Sequence, residues 1–253
     1  MEHWLETTLL PAAIAAALLL LVLWPTEYSG KRLLQTWGIP QPAPEQIREA
    51  VRYLRQRRFL YVALFLVFPS LVSGLPGIGI FVPLLVAMLV AEGIATLRPV
   101  SGVRSASLDR RSWRDLVPRW AVRTMAVTAV VTAGLAGVAS AWLALGYVGG
   151  CLLLVGGLVA LAVRRPSVSD EAVDAALRTR TARVAVGIGF GWLASAFTEA
   201  NQRLQFLAFG GPEPSRPAWL ADAVDPATIV VFAGLIVCWL WVAVPSRRSL
   251  AVR

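Results

Sequence analysis

The sequence predicts an all-α integral membrane protein, a bundle of about seven transmembrane helices made of three helical hairpins and an N-terminal span. Three observations lead to this prediction. Of the 253 residues, 57% are hydrophobic and only 15% are charged, whereas soluble domains average about 25% charged residues. The mean hydropathy is +0.65, which is more apolar surface than one water-soluble core of this size can bury. Short blocks of arginine also alternate with the apolar runs.

Apolar runs of membrane-crossing length define the spans. The run at 4–24 lies between Trp4 and Trp24, and twenty steps of about 1.5 Å match a hydrocarbon layer of about 30 Å. We interpret it as a retained span, because no positive charge precedes it and no small-residue cleavage site follows it. The stretch 59–97 is too long for one crossing, and SGLPG at 73–77 predicts a hairpin turn. The predicted spans are 4–24, 59–73, 77–97, 120–142, 149–163, 183–199 and 227–245.

The second and third hairpins contain many glycines. Residues 143–150, LALGYVGG, form the predicted turn between spans four and five. The run 183–199 is apolar but short, so six spans are the alternative if it does not cross. The glycines of both hairpins predict close helix packing, because small residues let helix backbones approach in lipid. They are Gly149, Gly150, Gly156, Gly157, Gly187, Gly189 and Gly191.

The distribution of positive charge predicts the orientation. Of 24 Lys and Arg residues, segments 25–58 and 98–123 hold seven each, 164–183 holds five and the tail after the last span holds three. The connection 200–226 holds two, and the turns at 73–77 and 143–150 hold none. Basic residues accumulate in cytoplasmic loops. The pattern therefore predicts a bacterial plasma-membrane protein with its N-terminus outside, its C-terminus in the cytoplasm, and cytoplasmic basic segments at 25–58, 98–119 and 164–182.

Helical signals appear within these cytoplasmic segments. Pro44 marks a helix start, and Ser112 to Asp115 matches a capping box. Apolar residues recur at helical spacing after Pro44, with arginines on the other side, and a similar pattern follows Glu171. The predicted inward-facing residues are Ile47, Ala50, Val51, Leu54, Val173, Ala176 and Leu177.

The basic segments suggest a membrane lipid partner, through anionic headgroups. A membrane-protein partner is the other possible ligand. A purely topological role for the charges is favoured over both, because the positive-inside bias needs no ligand. Nucleic acid is not expected, because the cations lie in short blocks between apolar runs. The candidate lipid-contacting residues are Arg48, Arg52, Arg55, Arg57, Arg58, Arg110, Arg111 and Arg114.

A few polar residues near the spans are candidates for function. A carboxylate inside a span, such as Glu92, is a functional candidate by default, although Arg98 lies near it in sequence and favours a structural role. Glu199 and Arg203 are four residues apart and can pair on a helix. Catalytic motifs, metal-ligand clusters and nucleotide loops are missing from the sequence. We therefore expect no catalytic residue, no metal site and no cofactor.

Two passages resemble a known class of proteins. They are LRPVSGVRSASLDRRSWRDLVPRWAVR at 97–123 and RRPSVSDEAVDAALRTRTARVAV at 164–186. Both resemble cytoplasmic loops of uncharacterised multi-pass membrane proteins of high-GC Gram-positive bacteria. The resemblance implies a plasma-membrane location and implies no catalytic residue.

Three function classes follow from these observations. The favoured one is a non-enzymatic scaffold or accessory subunit of a membrane complex, with a basic cytoplasmic face that contacts lipid or a partner. The alternative is a small secondary transporter or permease-like subunit, with a path lined by the glycine-rich spans and Glu92 or Glu199. A lipid-modifying enzyme that uses the outer carboxylates Glu6, Glu199 and Asp222 ranks third.

Overall fold

The structure, a computed structural model, describes residues 24–72, 81–97, 104–105, 112–164, 167–168, 171–209 and 218–243. The predicted first span, the turn at 73–77 and the C-terminal tail lie outside these ranges. The described residues are helical, apart from one short antiparallel ladder and the connecting turns. The helices are α1 (Glu27–Thr36), α2 (Pro44–Val72), α3 (Phe81–Leu97), α4 (Trp113–Leu116), α5 (Arg119–Val138), α6 (Trp142–Arg164), α7 (Glu171–Phe209) and α8 (Ala218–Ala243). The ladder joins β1 (Arg104–Ser105) to β2 (Ser167–Val168).

Helix starts follow the local sequence signals. Helix α2 begins at Pro44, as predicted, because proline at the first helical position loses no intrahelical hydrogen bond. The capping box that begins at Ser112 is also confirmed, since its hydroxyl and the Asp115 carboxylate each accept a backbone N–H at the start of α4. Helix α1 was not predicted, although Thr26 and Ser29 form a second capping box at its start.

The chain divides into two compact units. The first comprises Met1–Arg110, Arg164–Arg178 and Pro245–Arg253. Within it, α1, the start of α2 and the start of α7 meet around Leu34, Ala50 and Val173, each fully buried. Gly30 permits this close approach of α1, because a Cβ there would lie 2.7 Å from a Val51 methyl carbon and 3.1 Å from the Ile47 carbonyl oxygen.

The second unit, Arg111–Val163 and Thr179–Val244, is built around α7. Ala200 joins a buried alanine cluster with residues of α5 and α6, while Gly189, eleven residues earlier, faces Met125 and Val155. These contacts make α5 parallel and α6 antiparallel to α7. Helix α8 is also antiparallel to α7, because Trp239 lies against Gly187 and Thr228 accepts a hydrogen bond from Asn201. The four long helices α5 to α8 therefore alternate in direction along the chain.

Helices α5 and α6 have the length and composition of membrane spans. Only 28% of the most apolar 18-residue window of each is buried, whereas the core helix of a soluble protein is mostly buried. The inward stripes are rich in small side chains, while large apolar side chains such as Val130 and Leu153 point outward. Two shorter apolar helical stretches occur at Val82–Leu97 and Thr228–Ala243. The described residues thus support membrane association, and the seven-span bundle stays a prediction.

The turn between α5 and α6 lies earlier than its glycines suggested. It occupies residues 139–141, with Ser140 at φ 51°, and the predicted turn residues 143–150 belong to α6. The glycine-packing prediction also holds for only part of the set. A Cβ would collide with neighbouring side chains at Gly187 and Gly189, but it would meet nothing within 4 Å at Gly149, Gly156 or Gly157. Those three glycines leave open space along α6 rather than a close helix contact.

Candidate functional site

The predicted lipid-contacting arginines have different environments. Arg48, Arg52, Arg55 and Arg114 are exposed and Arg58 is half-buried, whereas Arg57 is only 4% exposed. Arg110 and Arg111 lie outside the described residues. The spacing explains the contrast, because Arg57 follows Ala50 by seven residues and therefore shares the inward face of α2. Lipid contact by these arginines stays a prediction.

Arg57 lies at the centre of a buried polar cluster between α2 and α3. Its guanidinium forms an ion pair with Glu92, a carboxylate with no exposed surface. Arg57 Nε and Nη2 donate to the Tyr61 hydroxyl at 2.8 and 2.6 Å, and Nη1 donates to the Tyr53 hydroxyl at 3.3 Å. The Tyr61 hydroxyl donates in turn to Glu92. We call these four residues the Arg57–Glu92 cluster.

The electrostatics of the cluster keep Arg57 charged. Burial alone would lower the pKa of Arg57, but the Glu92 carboxylate and the two tyrosines outweigh it, so the pKa lies above its ordinary value. Among the described residues, the second Glu92 oxygen has no hydrogen-bond partner. Because the opposite charges cancel, the cluster can join two helices within an apolar environment at a much lower cost than either charge alone.

Glu92 has a partner that sequence proximity did not suggest. Arg98 is six residues away in the sequence but lies outside the described residues. The ion-pair partner in the structure is Arg57, 35 residues earlier and across the predicted hairpin. This pairing fits an antiparallel arrangement of α2 and α3, in which the predicted inner ends of both helices lie side by side.

Glu199 and Arg203, the second pair of candidate residues, lie near the C-terminal end of α7. Glu199 is half-buried and Arg203 is exposed, and within the described residues no ion pair joins them. Arg203 instead lies over the Phe206 ring at 5.5 Å. Asn201, which lies between these two residues in sequence, donates a 2.7 Å hydrogen bond to the Thr228 hydroxyl, and this bond ties α7 to α8. The outer carboxylates Glu6 and Asp222 cannot be placed beside Glu199, because their side chains lie outside the described set.

The third predicted cytoplasmic segment contacts each of the other two within the first unit. Leu34 and Ala50 of 25–58 pack against Val173 of 164–182, and Arg104 of 98–119 pairs with Val168 through the β1–β2 ladder. We call this assembly the basic layer; it comprises α1, residues 44–58 of α2, the ladder and residues 171–178 of α7. Its interior contains a further buried ion pair, Asp174 with Arg178.

The outer surface of the basic layer is rich in cations. An exposed ion pair joins Arg48 to Glu45 at 3.7 Å, and Arg55 lies over the Trp24 ring at 5.1 Å. Helix α1 adds a cleft of about 450 Å³ lined by Tyr28, Lys31, Arg32 and Gln35. Sequence reasoning missed this cleft because it had not predicted α1, whose signal is the Thr26–Ser29 capping box.

Among the residues that the structure describes, no group of three or more His, Cys, Asp or Glu side chains could hold a metal ion. Comparisons with protein-family models, with curated proteins and with solved structures find no match for this chain. The site must therefore be interpreted from its own geometry.

Proposed function

We propose that this chain is a multi-pass plasma-membrane protein whose basic layer faces the cytoplasm and docks a membrane partner. In this proposal it is a non-enzymatic scaffold or accessory subunit of a membrane complex. The observation that carries the proposal is that three segments, far apart in sequence and each predicted to be cytoplasmic, meet in one layer, and that the first of them exposes arginines on α1 and α2.

The contacts within the basic layer support an even number of crossings between its segments. An odd number of crossings would place two segments on opposite sides of a hydrocarbon layer about 30 Å thick. Leu34 could not then pack against Val173, nor could Arg104 pair with Val168. Hairpins at 59–97 and 120–163 meet this requirement, and they agree with the arginine distribution.

Features of the second unit support a sixth crossing by α7. Arg183 donates to the Leu116 carbonyl at 3.3 Å, and Arg203 lies twenty residues further along the same helix. Twenty residues of helix extend about 30 Å, which is the thickness of the hydrocarbon layer. Trp120 and Trp241 stack edge-on at 6.3 Å, which suits two indoles at one membrane interface.

Introduced cysteines would test the crossing by α7. In a chain with Cys151 and Cys238 replaced by alanine, we expect Gln202→Cys to react with a membrane-impermeant maleimide on intact cells. Arg48→Cys is the matched control and should react only after the membrane is permeabilised. Both positions are exposed, so a difference in labelling reports sidedness. If Gln202→Cys is labelled only after permeabilisation, α7 does not cross the membrane and the sixth span is wrong.

Co-purification from native membranes would test the docking function. We expect a second membrane protein to be recovered with the wild-type chain at a fixed ratio, and an Arg48→Glu, Arg52→Glu variant to lose about tenfold or more of it, because reversing charges at an interface costs several kcal/mol. The exposed Arg203→Glu substitution, outside the basic layer, should leave recovery unchanged. Isolation of the chain with lipid alone, after mild crosslinking, would contradict the scaffold proposal.

A small secondary transporter or permease-like subunit is the second candidate. It is favoured by the Arg57–Glu92 cluster, because ionisable residues within spans commonly mark ion or proton paths. Its weakness is that Glu92 is already neutralised by Arg57 and is wholly buried. The co-purification experiment separates the scaffold from a secondary transporter that acts alone, since such a transporter requires no stable protein partner.

A further inference from the structure

The outer face of α1 has the composition of an anion site. Tyr28, Lys31, Arg32 and Gln35 follow helical spacing and line one cleft of about 450 Å³. The opposite face of α1 is buried through Gly30 and Leu34, so the helix is fixed with its cations outward. Neither cation has an ion-pair partner among the described residues. Glu27, one turn before Lys31, is exposed and forms no ion pair with it.

The chemistry of the lining matches a phosphate group. Two cations, a phenol hydroxyl and a carboxamide offer donors to several oxygen atoms at once, and charge-assisted hydrogen bonds are the strong ones. Gln35 is oriented by a hydrogen bond from its amide nitrogen to the Pro40 carbonyl at 3.2 Å. Its amide oxygen can accept a hydrogen bond from a headgroup hydroxyl.

The neighbourhood of the cleft indicates an amphipathic ligand. Trp24, which ends the predicted first span, lies three residues before α1 and is 48% exposed. Tyr28 is 72% exposed on the cleft itself. Exposed aromatic side chains beside cations are typical of the headgroup level of a membrane. Inorganic phosphate or a simple phosphate ester has no apolar part to place against them, whereas a lipid would place its glycerol and upper acyl carbons there.

We propose that the cleft on α1 is a binding site for one anionic phospholipid of the inner leaflet, held through its phosphodiester by Lys31 and Arg32. The inference rests on the proposed function for the placement of α1 at the cytoplasmic leaflet. It differs from general attraction between a basic surface and lipid, because it assigns one lipid to four named side chains. Arg48 and Arg52 are exposed cations of the same basic layer but do not line the cleft.

Native mass spectrometry of the purified full-length chain, titrated with phosphatidylglycerol, would test this site. We expect one tightly bound lipid on the wild type and about tenfold or more weaker binding in a Lys31→Gln, Arg32→Gln variant, because each basic residue near a lipid surface contributes on the order of a fivefold gain in affinity. Arg48→Gln with Arg52→Gln, which removes the same charge, should change this affinity less than threefold. Phosphatidylcholine should bind weakly to all variants.

Two outcomes would overturn the site. If both double variants weaken lipid binding equally, the lipid is attracted by the overall charge of the basic layer and not by a specific site on α1. Displacement of the lipid by glycerol phosphate at an equal concentration would assign the cleft to soluble phosphate compounds instead. Matching thermal unfolding of the variants would show that they fold alike. Binding in detergent does not depend on sidedness or on a partner protein, so failure here would leave the proposed topology and docking function untouched.

Discussion

Replacing Glu92 by glutamine is expected to destabilise the protein by on the order of 3–5 kcal/mol, because it leaves the buried Arg57 guanidinium without its counter-charge. For a chain of this size, that loss corresponds to a drop of roughly 10 °C in Tm. The measurement is thermal unfolding of purified protein in lipid nanodiscs. The two tyrosine hydroxyls still accept hydrogen bonds from Arg57, but they carry no charge to replace the carboxylate.

The matched control is Glu45→Gln, which breaks the exposed ion pair with Arg48 in the same helix. Exposed pairs contribute about 0–1 kcal/mol, so this variant should unfold almost as the wild type does. The doubly neutral Arg57→Gln, Glu92→Gln variant should be more stable than Glu92→Gln alone, since it leaves no buried charge unpaired. Equal Tm values for Glu92→Gln and Glu45→Gln would show that the Arg57–Glu92 cluster does not hold α2 to α3.

The predictable part of the fold is the part encoded locally. The helix start at Pro44 and the Ser112 capping box each depend on residues within one turn of helix, so a short stretch of sequence contains the whole signal. The inward positions of Ala50 and Val173 were likewise predictable from helical spacing, and both are fully buried. Helix α1 has a local signal too, the Thr26–Ser29 capping box, but it lies outside the apolar runs that predict the spans.

The part that sequence could not predict depends on contacts between distant segments. The partner of Glu92 could not be identified without the register of α2 against α3, so the nearest arginine in sequence was the natural choice. The distribution of arginines predicts that three segments lie on the cytoplasmic side of the membrane, but it does not predict that these segments pack together. Which glycines lie at a helix contact also depends on the rotation of each helix about its axis. The residues of α6 are apolar on every face of the helix, so no amphipathic pattern in the sequence indicates which face points inward.

The second large expected effect is on thermal stability, and it comes from comparing alanine substitutions at two glycines, Gly187 and Gly156. Gly187 lies against the Trp239 indole of α8, and a Cβ there would lie 2.8 Å from the indole nitrogen. Gly156 on α6 is exposed, with nothing within 4 Å of an added Cβ. Both substitutions to alanine gain the same helix propensity, up to about 1 kcal/mol. Only Gly187→Ala also forces a rigid ring to move, which costs about 1–3 kcal/mol.

We therefore expect Gly156→Ala to be neutral or stabilising and Gly187→Ala to unfold at a Tm lower by several degrees, measured side by side in nanodiscs. Trp239→Leu combined with Gly187→Ala should recover part of the loss, because a smaller, flexible side chain can accommodate the new methyl group. That recovery distinguishes a local collision from general damage to α7. If the two alanine variants unfold at the same temperature, α8 does not pack on α7 at Gly187, and the arrangement of α5 to α8 would lose one of the contacts that support it.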